Sequence, residues 1–384
     1  MPELRLHRRL EELPAAAWDA LNRDGHPFTA HAFLSGLEAH GCLDPEYGWT
    51  PLHAALWEGD ALLAAAPAYA KGNSHGEFVF DQAWANAYAQ YGLDYYPKWL
   101  IGVPYTPVTG PRLLACEPAH KRLLLDAMRE AAPRLGLQSL HANFLDEEDL
   151  AAFDGSWLAR EDLQFHWRRD PAWQGFDDFL GALDHKRRKN LKADRRKVVE
   201  AGVTLRIVEG EQACGAPLAA MHRFYRQTFA EKWNHAAMTE AFFQHLGRAM
   251  PDAVVLVLAE RAAGARGEPP APIAGALCLR SGKALYGRYW GASQEVPGLH
   301  FEACYHQGIA HCIERGIDRF EPGAQGVHKL ARGFLPAIMH SRHWLVEPRF
   351  HAALERWCMA EREAVQRQRA AFAAHSPFRA GDSP

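Results

Sequence analysis

Apolar and polar positions along the chain alternate in blocks that read as strands and helices. "LHAALWEGDALLAAAPAYAK", from Leu52 to Lys71, is two apolar runs broken at Gly59-Asp60, and predicts a strand, a tight turn and a second strand. "HKRLLLDAMREAAPRLG" carries its apolar residues at helical spacing and predicts a helix with Gly136 as its C-cap. "LQSLHANFL" then predicts a strand. In the second half "VTLRIVE" reads as a strand, and "LAAMHRFYRQTFAEKW" and "TEAFFQHLGRAM" as helices. "AVVLVLAERA" and "PIAGALCLRSG" pair across "AGARGEPPA", a glycine- and proline-rich loop expected to be mobile. "KALYGRYWGAS" is the next strand, "LHFEACYHQGIAHCIERG" a helix closed by Gly316, and "IDRFEP" a further strand.

Two helix-to-strand joints follow one plan. "DAMREAAPRLGLQSLHANFLDEEDL" and "QGIAHCIERGIDRFEPGAQGVHKL" each run amphipathic helix, glycine, short strand, polar turn, helix start. That order predicts two copies of one module. At 384 residues the chain exceeds one ordinary core. The expected division is an α/β chain with a mixed sheet in each of two modules, 1–165 and 166–378.

Composition narrows the class. The chain is 48% hydrophobic and 23% charged, an ordinary globular balance. No apolar run approaches the roughly 20 residues that span a bilayer. The N-terminus "MPELRLHRRLEELP" is charged, without a signal-peptide apolar region, so a cytoplasmic protein is expected. The seven cysteines are scattered with no CxxC pair, and read as buried reduced thiols. Net charge is −3, but the halves differ. Residues 1–160 hold 12 Lys and Arg against 21 Asp and Glu, and the remainder holds 31 against 25. An anionic ligand is therefore sought in the second half. Between the modules lies the basic segment 184–200, where eight of the thirteen residues from His185 to Lys197 are Lys or Arg. It is either a solvated helix or a landing site for phosphates. No Gly-x-Ser-x-Gly elbow, P-loop or Rossmann fingerprint occurs, so hydrolase, kinase and dehydrogenase readings lack support.

The second-half order β-α-α-β-β-β-α-β-α-β resembles the GNAT acyltransferase fold. Two such modules in tandem resemble the Fem family of peptidoglycan-bridge aminoacyltransferases, and more closely the FemAB-like predicted N-acyltransferases often labelled peptidogalycan biosynthesis proteins. The stretches that carry this are "KGNSHGEFVFDQAW", "YYPKWLIGVPYTPVTGPRLL", "QFHW", "KRRKNLKADRR" and "EPGAQGVHKLARGFLP", between Lys71 and Pro336. The resemblance implies two tandem GNAT-like modules, with two parallel strands splaying apart around an acyl donor, here "ALYGRYWGAS" and "DRFEPGAQG". It also implies a donor-binding helix start at Gly298, Leu299 and His300, where the N-terminal dipole favours a pyrophosphate. The sequence departs from the usual signature there. "Gln294-Glu295-Val296-Pro297-Gly298-Leu299" has proline and leucine where small residues belong. Bulk and a missing N–H disfavour acetyl-CoA and leave a longer acyl-CoA, an acyl carrier protein or an aminoacyl-tRNA.

On this reading Glu321 or His328 takes the proton from an attacking ammonium. Lys329, Arg332 and Gln325 hold the substrate's phosphate or carboxylate. The plainer alternative makes Glu321 and His328 parts of a turn. Tyr286, Arg288 and Trp290 alternate on one strand face with Tyr289 on the other, and Tyr286 is a candidate acid for a leaving thiolate. His75, Glu77, Asp81 and Tyr105 form an expected acceptor-binding wall. His300, Cys304 and His311 share ligand chemistry on one helix but lack a fourth partner, so no metal is expected. The expectation is an N-acyltransferase with no tightly bound cofactor, using acyl-CoA or acyl carrier protein as co-substrate and a small-molecule or lipid amine as acceptor. A long-chain amine such as a sphingoid base is one version. Alternatives are Fem-like transfer from tRNA to a cell-wall precursor, and a non-catalytic binding module. A peripheral membrane contact fits either enzyme, and no DNA partner is expected.

Overall fold

The computed structural model describes residues 2–231, 235–261, 271–324 and 326–379. Gln325, and residues 262–270 of the glycine- and proline-rich loop, lie outside them. The chain forms two compact units, one of residues 1–163 and 338–368, the other of 164–337 and 369–384. The expected cut at 165/166 left 338–368 with the second module. The ladder explains the difference. The last long strand pairs its residues His340–Leu345 antiparallel with Ser139–Leu145, so the first unit's sheet recruits it.

In the first unit β1 (Glu3–His7), β3 (His53–Glu58), β4 (Ala61–Ala66) and β7 (Leu114–Ala115) form one antiparallel sheet, with β2 (Trp49–Pro51) lying between β1 and β3 in the chain. A second sheet holds β2, β5 (Ala68–Lys71), β6 (Lys98–Ile101), β8 (Ser139–Leu145) and β15 (Leu335–Leu345). The hairpin at Gly59-Asp60, the helix Pro118–Arg134 and its left-handed Gly136 lie where the apolar pattern puts them. The helix is dry on one side because Leu124, Leu125 and Met128 close over Leu56, Ala64 and Leu140. The alanines of β4 keep that side flat enough for close packing. Among the described residues no helix is long and apolar enough to cross a membrane.

The second unit's sheet runs β10 (Val203–Glu209), β11 (Val254–Arg261), β12 (Ala271–Arg280), β13 (Ala284–Ala292) and β14 (Arg319–Glu321), then the end of β9 (Leu158–Arg168). All neighbours are antiparallel except β13 and β14. Helix Ala216–Glu231 lies on one face. It approaches closely because Gly275 and Gly291 are cross-strand partners. A Cβ at Gly291 would stand 2.1 Å from the Phe224 carbonyl oxygen. Helical residues Leu299–Arg315, with a π-turn at Glu302–His306, cover the other face over Leu285, Phe320 and Cys278. Each unit is thus a mixed α/β module.

The expected alternation along β13 fails at one point. Leu277 pairs with Tyr289 and Cys278 with Gly287, so Arg288 is the extra residue of a β-bulge. The bulge turns Tyr286, partner of Leu279, onto the face of Tyr289 and away from Trp290. The thiols are all free, four of them buried, but Cys116 is exposed.

The glycine pair makes a stability prediction. Gly291→Ala drives a methyl into main chain rather than into a yielding side chain, and is expected to cost about 3 kcal/mol, the upper end of overpacking. Urea unfolding measures it, and a loss below about 0.5 kcal/mol, the range of surface changes, would refute the packing account.

Candidate active site

The site begins where two parallel strands part. β13 and β14 keep register for three pairs, Ala284 with Arg319, Leu285 with Phe320 and Tyr286 with Glu321. Pro322 follows, and it has no N–H to continue the ladder. It sits against Gly287, where a Cβ would meet its Cα at 3.2 Å. On its other edge β13 stays paired with β12 as far as Ala292. Beyond Gly287 the strand therefore turns an edge with backbone donors and acceptors toward the opening.

On the face of helix Ala216–Glu231 stand Tyr286 and its partner Glu321, which is only 2% exposed. Arg319 Nε lies 2.9 Å from Glu321 Oε1, and His166 Nε2 lies 3.8 Å from Oε2. Burial, then Glu321's charge, pushes the Tyr286 phenol up to about 12. Burial, reinforced by Arg319, Arg168 and Lys329, drops His166 to about 3, so its imidazole is neutral. Burial works against Arg319's charge, but Glu321 outweighs it and the guanidinium is held more firmly charged.

His328 belongs to a different cluster. Its Nε2 lies 3.0 Å from the Tyr305 hydroxyl, on the helix that covers the opposite face. Glu321 and His328, read from the sequence as alternative bases, thus stand in two groups, one for each face, with the strand opening between β13 and β14. Gly326, at φ +119°, is required here, since a Cβ would strike the His328 ring at 2.4 Å. His328 is exposed, and burial of its ring, with Arg332 and Lys329 nearby, lowers its pKa. Lys329 is buried, donates from Nζ to the Gly323 carbonyl at 2.5 Å, and is pushed by burial down to about 8. Arg332 lies 3.3 Å over the Phe301 ring and donates to Asp194 at 3.2 Å, so it is already engaged.

The expected donor-binding helix start is packed. A Cβ at Gly298 would meet the Asp194 carbonyl oxygen at 2.7 Å, and Leu299 is buried. His300 is edge-on to Trp290 and Tyr305. A diphosphate approaching that turn meets Asp194's main chain.

Asp194 belongs to the basic helix His185–Glu200. Asp184 caps that helix by accepting from the Arg187 amide at 2.7 Å. Arg195 reaches buried Glu302 at 3.3 Å, which also accepts from His306 at 2.8 Å and Gln307 at 2.7 Å. Arg187 and Arg196 pair with Asp184 and Glu200. Lys186, Arg188, Lys189 and Lys192 have no ion-pair partner among the described residues, and the three lysines are exposed. At an α-helical rise Lys186 to Lys192 spans about 9 Å.

In the first unit Glu77 and Asp81 do come together, but on Lys98, at 2.8 and 2.5 Å. Tyr95 donates to Asp81 at 2.7 Å and Lys98 to Ser74 at 2.8 Å. Burial pushes Glu77 up to about 7 despite Lys98, whereas at Asp81 the Lys98 charge outweighs burial and holds it at about 2. Both carboxylates are thus turned inward onto Lys98. His75 is exposed, its ring edge-on to Tyr47. Tyr105 packs on Tyr47 and Trp49 beneath Gly76. Sequence reading gave no role to His166, Arg319, Tyr305 or Lys98. The signal for His166 and Arg319 was period-2 polar positions flanking buried Trp167 and Phe320. Among the described residues no group of three His, Cys, Asp or Glu could hold a metal.

A family model described as "Peptidogalycan biosysnthesis/recognition", FemAB-like, matches residues 9–380. Among solved structures the chain is similar to FemX, at 10% identity, covering 92% of this chain and 100% of that one with a TM-score of 0.51. It is also similar to L-PGS from Bacillus licheniformis, at 11% identity, 89% and 96% coverage and a TM-score of 0.53. No curated protein matches.

Two buried cations yield predictions. Lys329 resists its charge in the folded state, so between about pH 8 and its ordinary value near 10.5 the unfolded chain holds one more proton than the folded chain. Stability of wild type relative to Lys329→Met therefore rises with pH across that window and is flat below it. Paired urea titrations from pH 7 to 10 measure this, and a difference that stays constant would remove the buried-lysine account. Lys98→Met leaves two buried carboxylates without their cation and is expected to cost about 3–5 kcal/mol in the same assay.

Proposed function

We propose that this chain, which belongs to the FemAB-like family and is a transferase of acyl or aminoacyl groups, joins an activated acyl donor to an amine at the parting of β13 and β14. The observation that carries the reading is that parting, with distinct chemistry on each face of the sheet at its mouth. An acyl carbonyl lying along the open edge of β13 would accept from its N–H groups, which polarise it without a proton transfer. The amine would approach from the face of Glu321. The Glu321 carboxyl group, beside Arg319, would attract an ammonium and take one proton from it, which frees the lone pair that forms the new C–N bond, and the second nitrogen proton would leave with the departing group. Tyr286, protonated through the physiological range, is the donor for the tetrahedral oxygen or the leaving group. His328, Lys329 and Tyr305 would line the donor's side. Amine, carbonyl and leaving group then need no covalent enzyme intermediate.

The donor's carrier follows from charge. A packed Gly298 argues against a diphosphate at the helix start, while Lys186, Arg188, Lys189 and Lys192 favour an extended polyanion. This supports a tRNA-linked aminoacyl donor as strongly as an acyl-CoA or acyl carrier protein. The acceptor on either route is a primary amine, on a cell-wall precursor, a lipid or a small molecule.

The test pairs chemistry with binding. The protein is incubated with acyl-CoA, acylated carrier protein or charged tRNA and an amine, and amide product is followed by mass spectrometry. Glu321→Gln is expected to lower turnover by about 10²–10⁴-fold, the usual cost of a lost general base, at an unchanged melting temperature. Normal turnover in the folded variant would sink the assignment of Glu321. Changing Lys186, Arg188, Lys189 and Lys192 together to Glu should weaken binding of the productive donor and flatten its salt dependence. An unaltered salt slope would leave the basic helix as a solvated face.

A further inference from the structure

The first unit contains a cavity of about 340 Å³ that the proposed reaction does not use. Its apolar walls include Phe78, Phe80, Phe144 and Trp357, and its polar lining includes Arg160, Glu161, Asp162 and Glu361. Two of the three non-glycine residues with left-handed backbone among the described residues are in these walls, Phe78 at φ +62° and Phe144 at φ +59°. A bulky residue is strained there and persists only where its surroundings enforce it. Enforcement is visible. Glu77 and Asp81 anchor both ends of the Phe78–Phe80 turn on Lys98, and Arg160 donates to the Phe80 carbonyl at 2.9 Å. The Phe144 carbonyl accepts from Gly110 at 3.1 Å.

The charges specify what such a cavity takes. Arg160 is spent on a two-pronged pair with Glu361, both bonds 2.8 Å, and lies 4.9 Å from the Trp357 ring centre. Its charge is offset by Glu361, and three of its five N–H donors are committed to Glu361 and the Phe80 carbonyl. Glu161 accepts from the neutral Gln366 at 2.6 Å, and Asp162 is exposed at the rim. His340, 3.9 Å from Glu161, is kept toward its neutral form by burial. The neighbouring cations Arg342 and Arg362 are bonded to the carbonyls of Ser341 and Ala159 and do not line the cavity. Glu161 and Asp162 therefore face an aromatic enclosure whose one lining guanidinium, Arg160, is already paired with Glu361, which leaves the lining with an excess of negative charge.

We propose that this cavity binds a small organic cation, an ammonium carrying an apolar body, with its charge against Glu161, Asp162 and the aromatic faces. Aromatic faces attract such cations through the ring quadrupole. The site is independent of the reaction assigned to the other unit.

The test uses three probes of one shape on the full chain at pH 7.5, by calorimetry: octylamine, octanol and octanoate. Octylamine should bind at least tenfold tighter than octanoate and several-fold tighter than octanol. Glu161→Gln with Asp162→Asn should weaken octylamine about tenfold, leave octanol unchanged, and so erase the preference. Phe80→Ala, at a side chain 64% exposed and hence safe for folding, should weaken both octylamine and octanol. Octanoate binding as tightly as octylamine would overturn the proposal. So would the absence of saturable octylamine binding, or an undiminished octylamine affinity in the carboxylate variant. If that variant does not fold, Phe80→Ala decides, and unchanged octylamine affinity there overturns it.

Discussion

Everything assigned to the second unit depends on a parallel ladder that stops after three pairs. Pro322 ends it by lacking a donor, and Gly287 lets the proline ring lie where a side chain would otherwise hold the strands apart differently. The helix Leu299–Arg315 region that joins β13 to β14 fixes one face. Helix Ala216–Glu231, seated on Gly275 and Gly291, fixes the other. The opening between the strands is thereby framed by rigid elements, which is what a carbonyl must meet if its hydrogen bonds are to be ready before it reacts.

Charge is partitioned to match. Glu321, buried with Arg319 beside Tyr286, is a carboxylate at one mouth. Lys329, half-way to losing its proton near pH 8, and the exposed imidazole of His328 stand at the other. Outside the opening, the basic helix is anchored through Arg195 to Glu302, while Lys186, Lys189 and Lys192 stand exposed without an ion-pair partner among the described residues. In the first unit the anchor is Lys98, where one cation holds two carboxylates and, through them, the turn that carries Phe78 and Phe80.

Local order was legible in the sequence and long-range pairing was not. The helix ending at Gly136, the helix ending at Gly316 and the strands Val203–Glu209 and Val254–Arg261 followed from periodicity and caps, because those signals act within a few residues. The bulge at Arg288 was invisible, since it exists only relative to Leu277 and Cys278 on β12. Hence Tyr286 was put on the wrong face. The return of Ile338–Gln368 to the first unit depends on pairing across some 200 residues, which no local pattern reports. Of the residues at the candidate site, Glu321, Tyr286, His328 and Lys329 were all named as candidates. Their division between two faces was not, because the glycine-spaced stretch that joins them in sequence crosses from one side of the strand end to the other. Glu77 and Asp81 were read as part of an acceptor wall, because no local pattern links them to Lys98, seventeen residues beyond Asp81.

The central claim is that the donor lies along the open edge of β13. Amide hydrogen exchange on the intact protein measures it directly, with acetyl-CoA, a long-chain acyl-CoA and a charged tRNA added in turn. The account predicts that at least one of them slows exchange in the segment Arg288–Ala292 while leaving Ala284–Tyr286, already closed into the ladder, unchanged. Protection confined to the basic helix His185–Glu200, or none with any of the three, would contradict it.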